Sequence, residues 1–115
     1  MLKKTVEIYI TASGREPFVE WIVALRDDKA RARIRNRISE MPFGHFGDCE
    51  AVGEGVFELR FFFGPGFRVY FAQYKHSIIL LLCGGDKKTQ TTDIKTAKKY
   101  WKEFKEMKNE NNTKL

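Results

Sequence analysis

Three strand-like runs follow one another between residues 56 and 83, and the last of them is apolar on both faces. They are Val56 to Phe63, Phe67 to Tyr74 and Ser77 to Cys83; Gly64-Pro65-Gly66 breaks the chain after the first, and Lys75-His76 lies near the second break. The first two runs alternate. Phe57, Leu59 and Phe61 fall on one face against Glu58 and Arg60, while Phe67, Val69 and Phe71 fall on one face against Arg68 and Tyr70. Ile78 to Cys83 has no polar side, so it needs cover above and below and belongs in the interior of a sheet.

The rest of the chain supplies that cover. Val6, Ile8 and Ile10 alternate with Glu7, Tyr9 and Thr11, the period of a first, half-buried strand. Ser13-Gly14 turns the chain, Pro17 suits the opening of a helix, and Phe18, Trp21, Ile22 and Leu25 give that helix one apolar face. Asp27-Asp28 can cap a second helix whose buried stripe is Ala30, Ile34, Ile38 and Met41, stopped by Pro42. Phe43 to Gly55 is rich in glycine and acid and has no period; it reads as a loop, long enough to face a ligand or partner. After Gly84-Gly85, Thr89 or Thr92 can cap a last helix with Ile94, Ala97, Trp101 and Phe104 on one face. The expected fold is therefore α+β, in the order β-α-α-β-β-β-α. It is a twisted, mainly antiparallel four-stranded sheet with two N-terminal helices on one face, a C-terminal helix against the sheet, and the first strand paired with the last.

At 115 residues, the sequence fits one domain over residues 1–108 with a frayed polar tail at 109–115, and no repeat or second domain appears. An apolar fraction of 43%, with 14% aromatic residues, excludes the composition of a disordered chain. The net charge of +6 suits polyanions, and its distribution is more telling than its size. Arg26, Lys29, Arg31, Arg33, Arg35 and Arg37 form one basic segment, and Lys87 to Lys108 contains another, so two basic surfaces are expected. Cys49 and Cys83 lack metal-ligand spacing and read as free thiols. No signal-peptide core follows Met1, and the longest aliphatic run is far below the ~18 residues that span a bilayer, so a cytoplasmic protein with no membrane partner is expected.

Arg60 and Arg68 share a sheet face. A turn centred on Gly64 places them directly opposite; one centred on Pro65 pairs Arg60 with Tyr70 and leaves Arg68 diagonal. Like charges across a sheet repel, so the pair calls for a neutralising carboxylate, with Glu58 the nearest in sequence, or for a bound anion. Gly84-Gly85 permits a sharp turn or the close approach of a ligand and delivers Lys87 and Lys88 near the same sheet edge. His76 reads as a solvated turn residue. His45, set among Phe43, Phe46 and glycines, is either a loop-surface residue or one that stacks on a base or moves a proton. No metal-ligand constellation, phosphate-binding glycine signature or catalytic triad is present in the sequence, and no cofactor is expected.

Three stretches in this order, Phe57-Glu58-Leu59-Arg60, Gly64 through Phe71 and Leu80 through Gln90, closely resemble the RelE/ParE toxin superfamily, and within it the addiction module killer proteins, which are similar to the HigB toxins. The resemblance runs from Tyr9 to Trp101. It implies the toxin of a type II toxin–antitoxin system: a metal-independent, ribosome-associated mRNA endoribonuclease held inactive by a co-expressed antitoxin, which is expected to be a helix-turn-helix protein. It also implies catalytic roles for Arg68, which matches the family's strand arginine and would stabilise the phosphorane-like transition state, and for Arg60 and Lys87 as phosphate clamps. Lys88, Gln90, Arg31, Arg35 and His45 are the expected RNA contacts. Tyr100 stands near the place of a tyrosine used by RelE enzymes, on a helix whose register the sequence leaves open, so the general acid and base stay unassigned. The superfamily's other branch binds and inhibits DNA gyrase without catalysis, on the same fold.

Overall fold

The protein's structure is a computed structural model describing residues 3–113. Among these residues the order is β1 (Thr5–Ile8), α1 (Pro17–Ala24), α2 (Asp28–Glu40), β2 (Cys49–Gly53), β3 (Val56–Arg60), β4 (Arg68–Tyr74), β5 (Ile78–Gly85) and α3 (Gln90–Thr113). The sheet runs β1-β5-β4-β3-β2; β1 lies parallel to β5, and the other three pairings are antiparallel. The doubly apolar run is thus interior, and the first strand pairs with the last. No described helix is long and apolar enough to cross a membrane.

The sheet has five strands where four were expected. β2 lies inside the stretch read as a loop, and it escaped the alternation test because its apolar side chains are divided between the faces. Cys49 packs toward α1 and α2, Val52 packs toward α3, and Glu50 and Ala51 are exposed. A bulge between Ala51 and Gly53 blurs the pattern further. β3 and β4 are also shorter than their sequence signals: beyond Arg60 and Arg68 a single backbone hydrogen bond joins Phe61 to Phe67, and residues 62–66 make a wide turn. Ile10 is exposed, since β1 ends at Ile8.

Helix ends follow the local chemistry. Pro17 opens α1, and the Asp27 carboxylate accepts hydrogen bonds from the backbone N–H groups of Lys29 and Ala30 at the head of α2. A short 3-10 turn, Met41–Phe43, carries Pro42 beyond the end of α2. Ahead of α3, the cap is Asp86 instead of Thr89 or Thr92. Its side chain accepts from the N–H groups of Lys88 and Thr89 and opens a 3-10 turn at Lys87–Thr89 that leads into the helix. α3 continues to Thr113, through most of the stretch read as a tail.

Two apolar layers flank the sheet. Ile22, Ile34, Leu59, Phe71 and Leu81 belong to the one beneath α1 and α2; Tyr70, Leu80, Leu82, Ala97 and Trp101 belong to the one beneath α3. Each fully buried aliphatic side chain contributes roughly 1.5–3 kcal/mol to holding these layers together. A bulge opposite Tyr70 and Phe71 turns both Leu82 and Cys83 toward α3, so the next two residues face opposite layers: Gly84 lies under Trp21 of α1, and Gly85 under Asp93 of α3. A Cβ at Gly84 would stand 2.2 Å from the Trp21 ring, and one at Gly85 1.8 Å from the Asp93 carboxylate. The diglycine therefore admits two helix side chains instead of making a sharp turn.

Candidate nucleic-acid interface

Arg60 and Arg68 are direct partners across β3 and β4, the register set by a turn centred on Gly64. Their environments differ. Arg60 donates from Nε and Nη2 to the two oxygens of Asp48, at 3.1 and 3.0 Å, and its Nη1 lies 2.6 Å from Glu50 on β2. The Asp48 carboxyl is held below its usual range by these hydrogen bonds, and the Arg60 guanidinium is pushed up by the same contact.

Arg68 is 7% exposed. Its Nη1 donates to the carbonyls of Gly66 and Phe67, at 2.9 and 3.1 Å, while Nε is buried without a hydrogen bond, 3.8 Å from Glu58. Glu58, 2% exposed, is the neutralising carboxylate of this arginine. Its Oε2 accepts from the Tyr70 hydroxyl at 3.1 Å and from Gln90 Nε2 at 2.7 Å, which ties α3 to β3 and β4. Burial, and then the charge of Glu58, pushes the Tyr70 hydroxyl's pKa far up, so it is a fixed donor. Among the described residues, no hydrogen bond within the chain engages Arg68 Nη2.

Lys87 reaches the same place from the end of β5. Its backbone N–H donates to the Pro65 carbonyl at 3.4 Å, pinning the 3-10 turn to the Gly64–Gly66 turn. The resulting cleft of about 300 Å³ is bounded by Phe61, Phe62, Gly64, Gly66, Arg68 and Lys87. Gly66, at φ +77°, permits this approach: a Cβ there would meet Arg68 Nη1 at 3.4 Å and Lys87 Cβ at 3.5 Å.

Of the expected site residues, the fold brings Arg68 and Lys87 together, with the exposed Lys88 next in the turn and Gln90 behind, directed inward. Arg60 faces β2. Arg31 pairs with Asp28 and donates to the Leu25 carbonyl; Arg35 is exposed on α2. His45 is exposed beside Glu40, with Nδ1 3.4 Å from its carboxylate, and does not line the cleft. Tyr100 packs against Tyr9, ring centroids 5.0 Å apart. Three residues that sequence reasoning passed over matter here. Arg37 donates to the carbonyls of Arg60, Phe46 and Asp48, locking α2 to the start of β2 and the end of β3. Arg33 and the exposed Phe62 extend the cleft surface. The alternation that put Glu58 and Arg60 on one face also assigns Phe62 to it, so that signal was present.

The family described as "Phage derived protein Gp49-like (DUF891)" matches residues 20–105, which include every cleft residue named above. A protein of Haemophilus influenzae, described as "Uncharacterized protein", is 44% identical over 94 residues, covering 82% of this chain and 91% of its own length.

Proposed function

Because the chain belongs to the Gp49-like family of phage-derived proteins, a RelE/ParE-like toxin family, we propose that it is the HigB-like toxin of a type II toxin–antitoxin pair and that it cuts mRNA on the ribosome. The observation that carries this reading is Arg68: nine-tenths buried, backed by Glu58, with Nη2 uncommitted at a cleft that Lys87 also lines. In the proposed reaction, a ribose 2′-oxygen attacks the adjacent phosphorus and the bond to the 5′-oxygen breaks. One proton leaves the 2′-hydroxyl and one reaches the departing oxygen, giving a cyclic phosphate and a free 5′-hydroxyl. Negative charge grows on the phosphoryl oxygens as the new bond forms, and cations held at the cleft stabilise that charge more than they stabilise the ground state. Arg68 and Lys87 are assigned this part, in a reaction that requires no metal. Lys88 adds attraction for the phosphate backbone. Arg60, with Asp48 and Glu50, is assigned the holding of β2 against β3.

The antitoxin is expected to neutralise the toxin by covering this cleft or keeping it off the ribosome. The test is a brief induction of the protein, with genome-wide mapping of new mRNA 5′ ends. New ends inside translated reading frames are the expected result. No new ends, together with inhibition of DNA gyrase supercoiling by the purified protein, would replace this reading with that of a gyrase-binding inhibitor.

A further inference from the structure

Phe61, Phe62 and Phe63 leave the end of β3 in succession, and the middle one is the one largely in water. Phe61 is 2% exposed, Phe63 is half-buried, and Phe62 is 80% exposed. A lone exposed apolar side chain is ordinary. This one is held in place by its neighbours. The Arg37 guanidinium lies 4.4 Å from the centre of the Phe61 ring, and that of Arg33 lies 3.8 Å from the centre of Phe63. Phe63 also meets Phe61 and Phe67 edge-on, at 5.9 and 5.7 Å. Arg37 is itself fixed by its three backbone carbonyls. The segment presenting Phe62 is therefore clamped on both sides, and the ring projects from a rigid base.

Phe62 is also, with the buried Phe61 at its base, a wall shared by two clefts. On one side is the Arg68–Lys87 cleft; on the other is a cleft of about 410 Å³ lined by Arg33, Asn36, Arg37, Phe61 and Phe63. Each holds cations, and the second adds the Asn36 amide, which can both donate to and accept from a base edge.

We propose that Phe62 is a base-stacking platform and that the Arg33–Asn36 cleft is a second nucleotide subsite, so that the protein grips two successive nucleotides of single-stranded RNA, one on each side of the ring. The inference deepens the reading of the Arg68–Lys87 cleft as an RNA site and rests on it. Single strands are the fitting ligand. An aromatic face exposed between cationic clefts takes an unpaired base on its π-surface and the flanking phosphates on its cations, whereas bases in an A-form duplex are already stacked and paired.

The test is equilibrium binding of a fluorescent single-stranded RNA whose 2′-hydroxyls are methylated, which cannot be cleaved by 2′-oxygen attack, to the full chain. Phe62→Ala is expected to weaken binding by roughly 5- to 100-fold, the range for losing one base–aromatic stack. Phe62→Tyr should bind like the parent, and Phe62→Leu, apolar but without a π-face, should stay weak. A duplex of the same sequence should show no dependence on residue 62. Because Phe62 is largely in solvent, folding should be untouched, which circular dichroism checks. Parent-like binding by Phe62→Ala, full rescue by Leu, no binding by the parent, or a loss confined to antitoxin binding each overturns the proposal. The two readings fail separately: Phe62-dependent binding without cleavage of mRNA on translating ribosomes sinks only the nuclease, and cleavage there that is indifferent to Phe62 sinks only the subsite.

Discussion

Arg60 and Arg68 face each other across one pair of strands, on the same side of the sheet, and the chain uses them in opposite ways. On the β2 side, Arg60 lies in partial contact with water with three of its nitrogens against Asp48 and Glu50. On the β5 side, Arg68 is buried and faces a carboxylate that Tyr70 and Gln90 already hold, with part of its hydrogen-bonding capacity unused. The residue type and the backbone register are the same; what differs is what the neighbouring elements bring. Acids arrive beside Arg60 on β2 and the segment before it. A glycine turn and a second cation, Lys87, arrive beside Arg68. A guanidinium saturated by surface carboxylates contributes to local structure, whereas a buried one with a free donor keeps capacity for a further hydrogen-bond acceptor.

Substitutions can break this contrast from the Arg68 side first. Glu58→Ala removes the one carboxylate paired with Arg68 among the described residues, leaves a buried charge uncompensated and strips the Tyr70 hydroxyl of its acceptor; the expected cost is about 3–5 kcal/mol, read from urea unfolding at neutral pH. A loss below about 1 kcal/mol, the size of a surface ion pair, would place Arg68 in the same class as Arg60. Gly85→Ala acts one strand over, since Gly85 is the other register partner of Arg68. Its Cβ would displace Asp93 and Thr89, so a destabilisation of about 1–3 kcal/mol is expected. A shifted Lys87–Thr89 turn should also reduce cleavage in the variant that remains folded.

Arg60→Ala should do less. Exposed ion pairs are screened by water and contribute little, so the urea midpoint should move slightly and cleavage should fall by less than about tenfold. A larger catalytic loss would return Arg60 to the proposed phosphate site. The smallest effect expected is in acid. Asp48 has a depressed folded-state pKa, so the unfolded chain takes up its proton first as pH falls; the stabilisation is present above the ordinary carboxylate value of about 3.9 and fades as pH drops through the folded-state value. Between about pH 5 and 3, the parent should therefore lose stability slightly more steeply than Arg60→Ala. Identical slopes would mean that Arg60 does not set the titration of Asp48.

The sequence patterns that proved legible are those in which one face is buried along its whole length. Phe18 and Ile22, Ala30 and Ile34, and Ala97, Trp101 and Phe104 were recognisable because helical spacing repeats their burial. The sharing of a face by Arg60 and Arg68 followed from parity alone. β2 was not legible, because an edge strand held mainly by backbone pairing, with one half-buried side chain on each face, has no period. Gly84-Gly85 was misread because its meaning depends on Trp21 and Asp93, one of them more than sixty residues away, and on a bulge that resets which glycine faces which helix. The partners of Arg60 were hidden for a similar reason: Asp48 and Glu50 lie in a stretch with no pattern, and only the pairing of β2 with β3 brings them near.

The most direct measurement of the difference between the two arginines is the initial rate of mRNA cleavage on translating ribosomes by Arg68→Ala and Arg60→Ala, side by side, with folding checked by circular dichroism. Arg68→Ala is expected to cut on the order of 10²-fold more slowly than the parent or worse, as when one preorganised electrostatic donor is lost. Arg68→Lys should recover little of that rate, because an ammonium lacks the planar fork of a guanidinium. A folded Arg68→Ala that cuts as fast as the parent, or that is no slower than Arg60→Ala, would contradict the assignment of the cleft.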